Sequence, residues 1–439
     1  MIGSDLVGDS ASIIHPSRQD LEAIQLERLN ALLAEVSESN PFYRSKLSAL
    51  RLPLASLAAF QETVPFTTKE EWVADQEQNP PYGTNLTYPL TRYTRCHQTS
   101  GTSGKPMRWL DTTSSWDGIV DDWVEVMRAA GLEQADRFFF AFSFGPFLGF
   151  WSAFEAALKM GSFSLSGGGM TTETRLQVLV KNQITVLGCT PTYAIRLGEA
   201  ARERGVETEG LPLRRLLVAG EPGGSLPAVR DRLKQLWPGA SVFDHHGMTE
   251  TGPVSYECPE MPGRLHLNET SYLAEVVDRE GGLAVQPGTR GELVLTTLRR
   301  LGSPLIRYRT GDLVELAARQ PCVCGRYHLA LEGGIIGRVD DMVVIRGVNV
   351  FPSAIDEIVR RCGGVIEYQA IVSERRSLAE LELAIEVEAG EKGDEPVRRR
   401  LEEELRKSLA LRIPVRVVSQ GLLPRFEMKA KRWVRVDQE

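Results

Sequence analysis

Hydroxyls, glycines and one lysine are compressed into Gln98-Thr99-Ser100-Gly101-Thr102-Ser103-Gly104-Lys105-Pro106. Such a segment can wrap an anion. Gly101 and Gly104 let backbone N–H groups approach phosphate oxygens, the hydroxyls of Ser100, Thr102 and Ser103 donate further bonds, and Lys105 adds a point charge. Pro106 follows the lysine where the strand–GxxxxGK[ST]–helix signature needs a hydroxyl for magnesium, so this is a different loop. The competing reading is a Gly/Ser surface turn. A second segment, Phe243-Asp244-His245-His246-Gly247-Met248-Thr249-Glu250-Thr251-Gly252, leaves a strand pattern and turns at a glycine into hydroxyl and carboxylate side chains. Strand C-termini in α/β sheets are where ligands sit. A third, Arg307-Tyr308-Arg309-Thr310-Gly311-Asp312-Leu313, puts one carboxylate on a tight turn, where it can accept both hydroxyls of a ribose or serve an ordinary Gly-Asp turn.

The cysteines make a separate set. Cys322-Val323-Cys324-Gly325 resembles half of a metal knuckle, and Cys258 and His266 follow the second segment closely. Thiolate and imidazole ligands suit tetrahedral Zn²⁺, so a structural Cys₃His site is expected to fasten these loops, with His328 as a competing ligand and unliganded thiols as the alternative reading.

These groups need a scaffold to place them. Leu21, Ile24, Leu29, Leu32, Leu33 and Val36 recur at helical spacing, so a helix is expected over Gln19–Val36, stopped by Asn40-Pro41. Phe138–Phe144, Ile184–Cys189, Leu216–Ala219, Val242–His245 and Gly291–Leu298 read as strands between longer helical patterns, which implies an α/β domain with a largely parallel sheet. Near the C-terminus, Leu381, Leu383, Ile385 and Val387 alternate with glutamates as in a strand with one wet face. A helix with Val397, Leu401, Leu405 and Leu409 on one side follows, then a strand at Val415–Val418. This is an α+β module with its own small core. The division expected is 1–339 for a large N-terminal domain and 340–439 for a small C-terminal one.

The chain has 439 residues, enough for two to four domains with ample core. Its charge, 51 − 58 = −7, argues against a general nucleic-acid or anionic-membrane binder. The apolar stretch from Phe138 to Trp151 is interrupted by Ser143, Gly145, Pro146 and Gly149 and falls short of the ~20 residues a membrane helix needs. The stretch from Met1 to Pro16 lacks a basic start and an apolar run, so no secretory signal is expected and the location is expected to be cytoplasmic.

Two more segments complete a pattern: Gly337-Arg338-Val339-Asp340-Asp341 running on to Arg346-Gly347-Val348-Asn349-Val350-Phe351-Pro352, and Pro424-Arg425-Phe426-Glu427-Met428-Lys429-Ala430-Lys431-Arg432. In this order the five segments resemble the adenylate-forming ligases, the acyl/aryl-coenzyme A synthetases, and within them the phenylacetate–coenzyme A ligase branch. The resemblance runs from about Gln19 to the C-terminus. It implies a large adenylate-forming α/β domain and a small mobile C-terminal α+β domain. It also implies an AMP-forming acid–thiol ligase: the carboxylate attacks the α-phosphate of ATP, pyrophosphate leaves, and coenzyme A opens the acyl-adenylate. An aromatic acid, ATP, Mg²⁺ and coenzyme A are the implied reactants and cofactors, and the resemblance allows a homodimer. A stand-alone adenylating enzyme that loads a carrier protein would use the same residues through the adenylate. A non-catalytic nucleotide-binding regulator is disfavoured because Glu250, Asp312 and Lys429 are all present.

Carried over residue by residue, the resemblance makes Lys429, Thr249 and Glu250 catalytic. Lys429 would bridge the ribose and the attacking carboxylate, Thr249 would touch the α-phosphate, and Glu250 would bind Mg²⁺. Ser100 to Lys105 would hold the β- and γ-phosphates, with Gly220, Glu221, Pro222, Asp244, His245, His246, Gly247 and Met248 around the nucleotide and Asp312 and Arg338 on the ribose. Phe142, Phe147, Gly220 and His246 would line the acid pocket. Arg346 and Gly347 would meet coenzyme A, and Asp340 would be the hinge. Two positions depart from the family: His246 stands where tyrosine is usual, and Met428 where glycine usually precedes the catalytic lysine.

Overall fold

Packing that alternates between two cores along the fully buried run Phe138–Phe140 of the strand Arg137–Phe140 sets the layering. Phe138 and Phe140 pack on one face with Val186, Leu217 and Phe243, against the helices Thr113–Ala129 and Gly149–Lys159. Phe139 packs on the other with Leu187, Leu216 and Val242, against Thr172–Lys181, Pro191–Glu203 and Pro227–Leu236. Each such ring moved out of water contributes about 1.5–3 kcal/mol, so the alternation fixes which face each helix covers. Gly188 is part of that fit, because a Cβ there would lie 2.8 Å from the Phe140 ring.

The structure is a computed structural model that describes residues 15–99, 106–318, 321–339, 341–346, 348–375, 378–388, 393–426 and 430–436. Its large sheet has 11 strands. Phe163–Ser166, Arg137–Phe140, Val186–Cys189, Arg215–Val218 and the first half of Ser241–Met248 run parallel. Beyond them Gly252–Glu257, Arg264–Leu267, Ala330–Arg338, Tyr308–Leu316, Arg290–Thr297 and Tyr272–Val277 follow as antiparallel neighbours. The sheet is therefore mixed. The parallel half coincides with four of the five strands expected from sequence, and the fifth lies in the antiparallel half.

The N-terminal helix spans Arg18–Ser39, begun by a capping box between Ser17 and Asp20 and ended at Asn40, whose side chain caps Pro41–Arg44. Its buried Gln25 donates to the carbonyls of Glu269 and Tyr272, both at 3.1 Å, and so fastens the helix to the antiparallel half.

A separate small core lies beyond Val343, built from the helices Pro352–Cys362 and Asp394–Leu409 on a four-stranded sheet. That sheet is ordered Val415–Val417, Leu378–Val387, Val365–Arg375, Trp433–Val436. One glutamate departs from the expected wet face: Glu386 is fully buried, receiving Leu423 N at 2.6 Å and pairing with Arg425. No helix among the described residues is long and apolar enough to cross a membrane.

Candidate active site

The strand Ser241–Met248 changes partners midway. Ser241 to Asp244 pair parallel with Arg215–Val218, whereas His245 to Met248 pair antiparallel with residues of Gly252–Glu257. The break brings the turn at Thr249–Thr251 to the carboxyl ends of the parallel strands, where such sheets hold ligands. Gly247 is required there, because a Cβ would lie 2.6 Å from the Gly252 carbonyl oxygen. Asp244 and His245 are buried beneath the surface of the site. Ser225 Oγ donates to Asp244 at 2.5 Å, and the His245 ring packs 4.2 Å from Trp123 while its Nδ1 lies 2.6 Å from the Ser255 carbonyl. Burial raises the Asp244 carboxyl to about 7 and lowers His245 to about 3.

Three residues singled out from separate segments meet at one carboxylate. His246 Nε2 lies 3.1 Å from Asp312 Oδ2, and Arg338 donates to Asp312 Oδ1 at 2.9 Å. The cause is the sheet: Asp312 and Arg338 are register partners on adjacent antiparallel strands, and His246 reaches them from the switch strand. Arg338 also donates to the Thr310 carbonyl, and Thr310 Oγ1 receives Asp312 N, which fixes the turn. His246 thus uses one ring nitrogen on the carboxylate.

Behind the Thr249–Glu250 turn stands a pair that sequence reasoning missed. Arg300 and Asp111 are 3% and 0% exposed and joined by bonds of 2.7 and 2.6 Å. The same guanidinium donates to the carbonyls of Thr249 at 3.0 Å and Glu250 at 2.5 Å. Arg300 therefore holds the turn by its backbone rather than through the two side chains that the sequence assigns to the ligand. Glu250 offers a hard oxygen donor, the kind that suits Mg²⁺.

The far wall is the turn after Arg215–Val218. Gly220 has φ +96°, a conformation glycine adopts without strain. Glu221 accepts from Thr192 N at 2.8 Å and from Ala430 N at 3.0 Å. In the aromatic stretch, Phe142 is buried against Phe150 at 4.9 Å, while Phe147 is half-buried beside Gly145. Arg346 is exposed and paired with Glu380 at 3.4 Å. Ser100 to Lys105, Asp340, Gly347 and Lys429 lie outside the described residues.

The four expected metal ligands converge. Ligand atoms of Cys258, His266, Cys322 and Cys324 all lie within 4.8 Å of one another, with Cys258 and Cys322 sulfurs 3.6 Å apart and Cys324 Sγ 3.3 Å from His266 Nε2. Bonds of about 2.3 Å to sulfur and 2.0–2.1 Å to nitrogen put the corners of a zinc tetrahedron about 3.5–3.8 Å apart, so the donor set fits. His328, the competing ligand, bonds instead to the Tyr256 hydroxyl at 2.9 Å. Gly325, at φ +80°, closes the knuckle by donating its N–H to the Cys322 carbonyl at 2.7 Å.

Comparison with known proteins follows the same lines. The family described as AMP-binding enzyme matches residues 97–297, and the AMP-binding enzyme C-terminal domain matches 347–436. A phenylacetate-coenzyme A ligase of Thermus thermophilus is 32% identical, covering 93% of this chain and 95% of that protein. A solved 2-hydroxyisobutyryl-CoA ligase, in a postadenylation state with 2-HIB-AMP, superposes with TM-score 0.91 at 27% identity over 99% of this chain and 95% of that one. The same ligase with 2-HIB-AMP and CoA in its thioesterfication state gives 0.72 at 29% identity, over 97% and 91%.

Proposed function

This chain belongs to the AMP-binding enzymes, and we propose on that premise that its acid is aromatic and its acceptor free coenzyme A. The activity is ATP-dependent ligation of a carboxylic acid to coenzyme A by way of an acyl-AMP. The observation that carries the nucleotide-site roles is the meeting of His246, Asp312 and Arg338 beside the Thr249–Glu250 turn. In that reading Asp312 accepts the ribose hydroxyls and Arg338 keeps its carboxylate oriented. Thr249 donates toward the α-phosphate, the Ser100 to Lys105 loop takes the outer phosphates, and Lys429 offsets the charge that builds as the carboxylate attacks. Glu250 would hold Mg²⁺, which supplies charge neutralisation at the phosphates. Phe142 and Phe147 bound the ring pocket, and the backbone at Gly347, with Arg346, meets the coenzyme A arm. The division falls at 339/340 with Asp340 as hinge. Cys258, His266, Cys322 and Cys324 hold a Zn²⁺ that fastens the strand after the signature turn to the knuckle and contributes to folding.

An aromatic acid is supported by the Thermus thermophilus relative's name and by the phenylalanine-rich stretch, whereas the 2-hydroxyisobutyryl-CoA ligase points to a small hydroxy acid. Acid-dependent ATP–pyrophosphate exchange with phenylacetate, benzoate and 2-hydroxyisobutyrate separates them. Phenylacetate or benzoate is expected to give the highest kcat/KM, with the adenylate then consumed by coenzyme A. Preference for 2-hydroxyisobutyrate overturns the aromatic assignment, and transfer only to a holo-carrier protein overturns the acceptor.

A further inference from the structure

We infer that Glu221 is a latch between the two domains, holding the C-terminal domain in its adenylation arrangement through the Ala430 amide. The carboxylate is split between them. Oε1 receives Thr192 N, in the first turn of Pro191–Glu203, where Pro191 has no N–H to offer and Thr190 Oγ1 serves Tyr193 N. With those two contacts the first-turn donors at Thr192 and Tyr193 are satisfied, and the positive end of the helix favours an anion there. Oε2 is left for Ala430 N, the residue that follows Lys429 in the chain.

A second contact runs beside it. Arg432 is buried, paired with Glu367 at 2.6 Å, and reaches Thr192 Oγ1 at 3.4 Å. The start of Pro191–Glu203 therefore meets the approach to the strand Trp433–Val436 directly through Thr192 Oγ1 and a second time by way of Glu221. A further pair, Arg232 between Glu199 at 3.0 Å and Glu388 at 3.2 Å, lies elsewhere on the domain boundary. The Glu221 contact differs from it, because it grips backbone one residue from the lysine the sequence assigns to the first half-reaction. The arrangement that contains it is the one that superposes on the postadenylation complex, and the thioesterfication complex differs from it. A carboxylate shared between two backbone amides can release one of them without losing the other, so the helix cap persists while the domain turns.

The inference rests on the two-step reading, and the wild type tests that reading first: without acid-dependent exchange or thioester formation from any acid, the reading itself fails. Given an active wild type, Glu221→Ala and Glu221→Gln are compared in each half-reaction. The latch predicts a fall of roughly tenfold or more in kcat for pyrophosphate exchange, the scale of a lost charge-assisted bond. KM for ATP changes little, and thioester formation from supplied acyl-adenylate is retained or faster. Glutamine, which keeps one carbonyl acceptor, falls between wild type and alanine. Fluorescent labels in the two domains should report a wider interdomain distance in the alanine variant with adenylate bound. A rise in KM for ATP at unchanged kcat would make Glu221 a nucleotide contact and overturn the latch. An equal loss in both half-reactions together with a lowered Tm would make Glu221 a purely structural cap, which overturns the latch as well.

Discussion

Replacing Arg300 with methionine isolates what the buried pair contributes to the site. The guanidinium is 3% exposed and makes four bonds, two to Asp111, whose side chain is fully buried, and one to each carbonyl of Thr249 and Glu250. Its removal strands Asp111 as an uncompensated buried carboxylate, which costs about 3–5 kcal/mol. It also strips the turn of two charge-assisted donors, each contributing about 1.5–3 kcal/mol. If the transition state feels even one of these in full, pyrophosphate exchange falls by about ten- to a hundredfold, since 1.36 kcal/mol is a factor of ten. Asp111→Leu combined with Arg300→Met separates the two effects. An apolar pair of similar volume often matches a buried ion pair in stability, so the double variant should regain most of the lost unfolding free energy. It should not regain exchange, because the carbonyls of Thr249 and Glu250 still lack their donor. Denaturant unfolding and pyrophosphate exchange on wild type, both singles and the double give the full cycle. Recovery of exchange in step with stability would refute the claim that Arg300 positions the turn.

Three further outcomes follow from the same geometry. Protein purified without a histidine tag should carry about one Zn²⁺ per chain, and Cys322→Ser should lose the metal and lower Tm before it lowers exchange at permissive temperature; folded, active, metal-free protein would exclude the site. Lys429→Ala should reduce pyrophosphate exchange about 10²–10³-fold, the usual cost of removing a transition-state charge stabiliser, while sparing thioester formation from supplied adenylate. Burial raises the Asp122 carboxyl from 3.8 to about 7 against the opposing bonds from Ser271, Arg299 and Asn268. The folded chain then keeps a proton that the unfolded chain has released between about pH 4 and 7, so this group's contribution falls as pH rises through that window. Asp122→Asn should flatten that slope and add on the order of 3 kcal/mol near pH 8, read from urea unfolding at several pH values.

Four of the five strands in the parallel half were legible because they carry short apolar runs buried on both faces, set between helical patterns, whereas the half-exposed edge strand Phe163–Ser166, two of its four residues serine, was not. Apart from Arg290–Thr297, the antiparallel half hides its strands for a physical reason. Gly252–Glu257 and Ala330–Arg338 mix glycines and glutamates with apolar residues, and a charge such as Glu257 can be buried there because Arg230 pairs with it at 2.5 Å. Hydrophobic alternation fails wherever a distant arginine neutralises an inward carboxylate. Glu386 is the same case in the small domain: it alternates like its half-buried neighbours Glu380, Glu382 and Glu388, yet Arg425 brings it fully inside.

The same distinction divides the site. Asp312 was found in sequence because it sits on a Gly-Asp turn with a neighbouring hydroxyl, and His246 and Arg338 because their short runs resemble the family's motifs, so each could be read without knowing what it meets. Arg300 carries no such mark: it follows Arg299 between two leucines, and its partner Asp111 is 189 residues away in the chain. Glu221 was assigned in sequence only to the surroundings of the nucleotide, since a Gly-Glu-Pro turn does not say which amide its carboxylate will take. Local motifs specify what touches a ligand, because a ligand demands several groups within one short loop. The groups that hold those loops face only the protein, so any element that arrives with opposite charge can serve. Such partners become legible only once the sheet order brings Asp111 to Arg300 and the C-terminal domain brings Ala430 to Glu221. Exchanging the charges as Asp111→Arg with Arg300→Asp should therefore preserve much of the folding stability while losing the hold on Thr249 and Glu250, because an ionised aspartate at position 300 only accepts and has no N–H to donate to those two carbonyls.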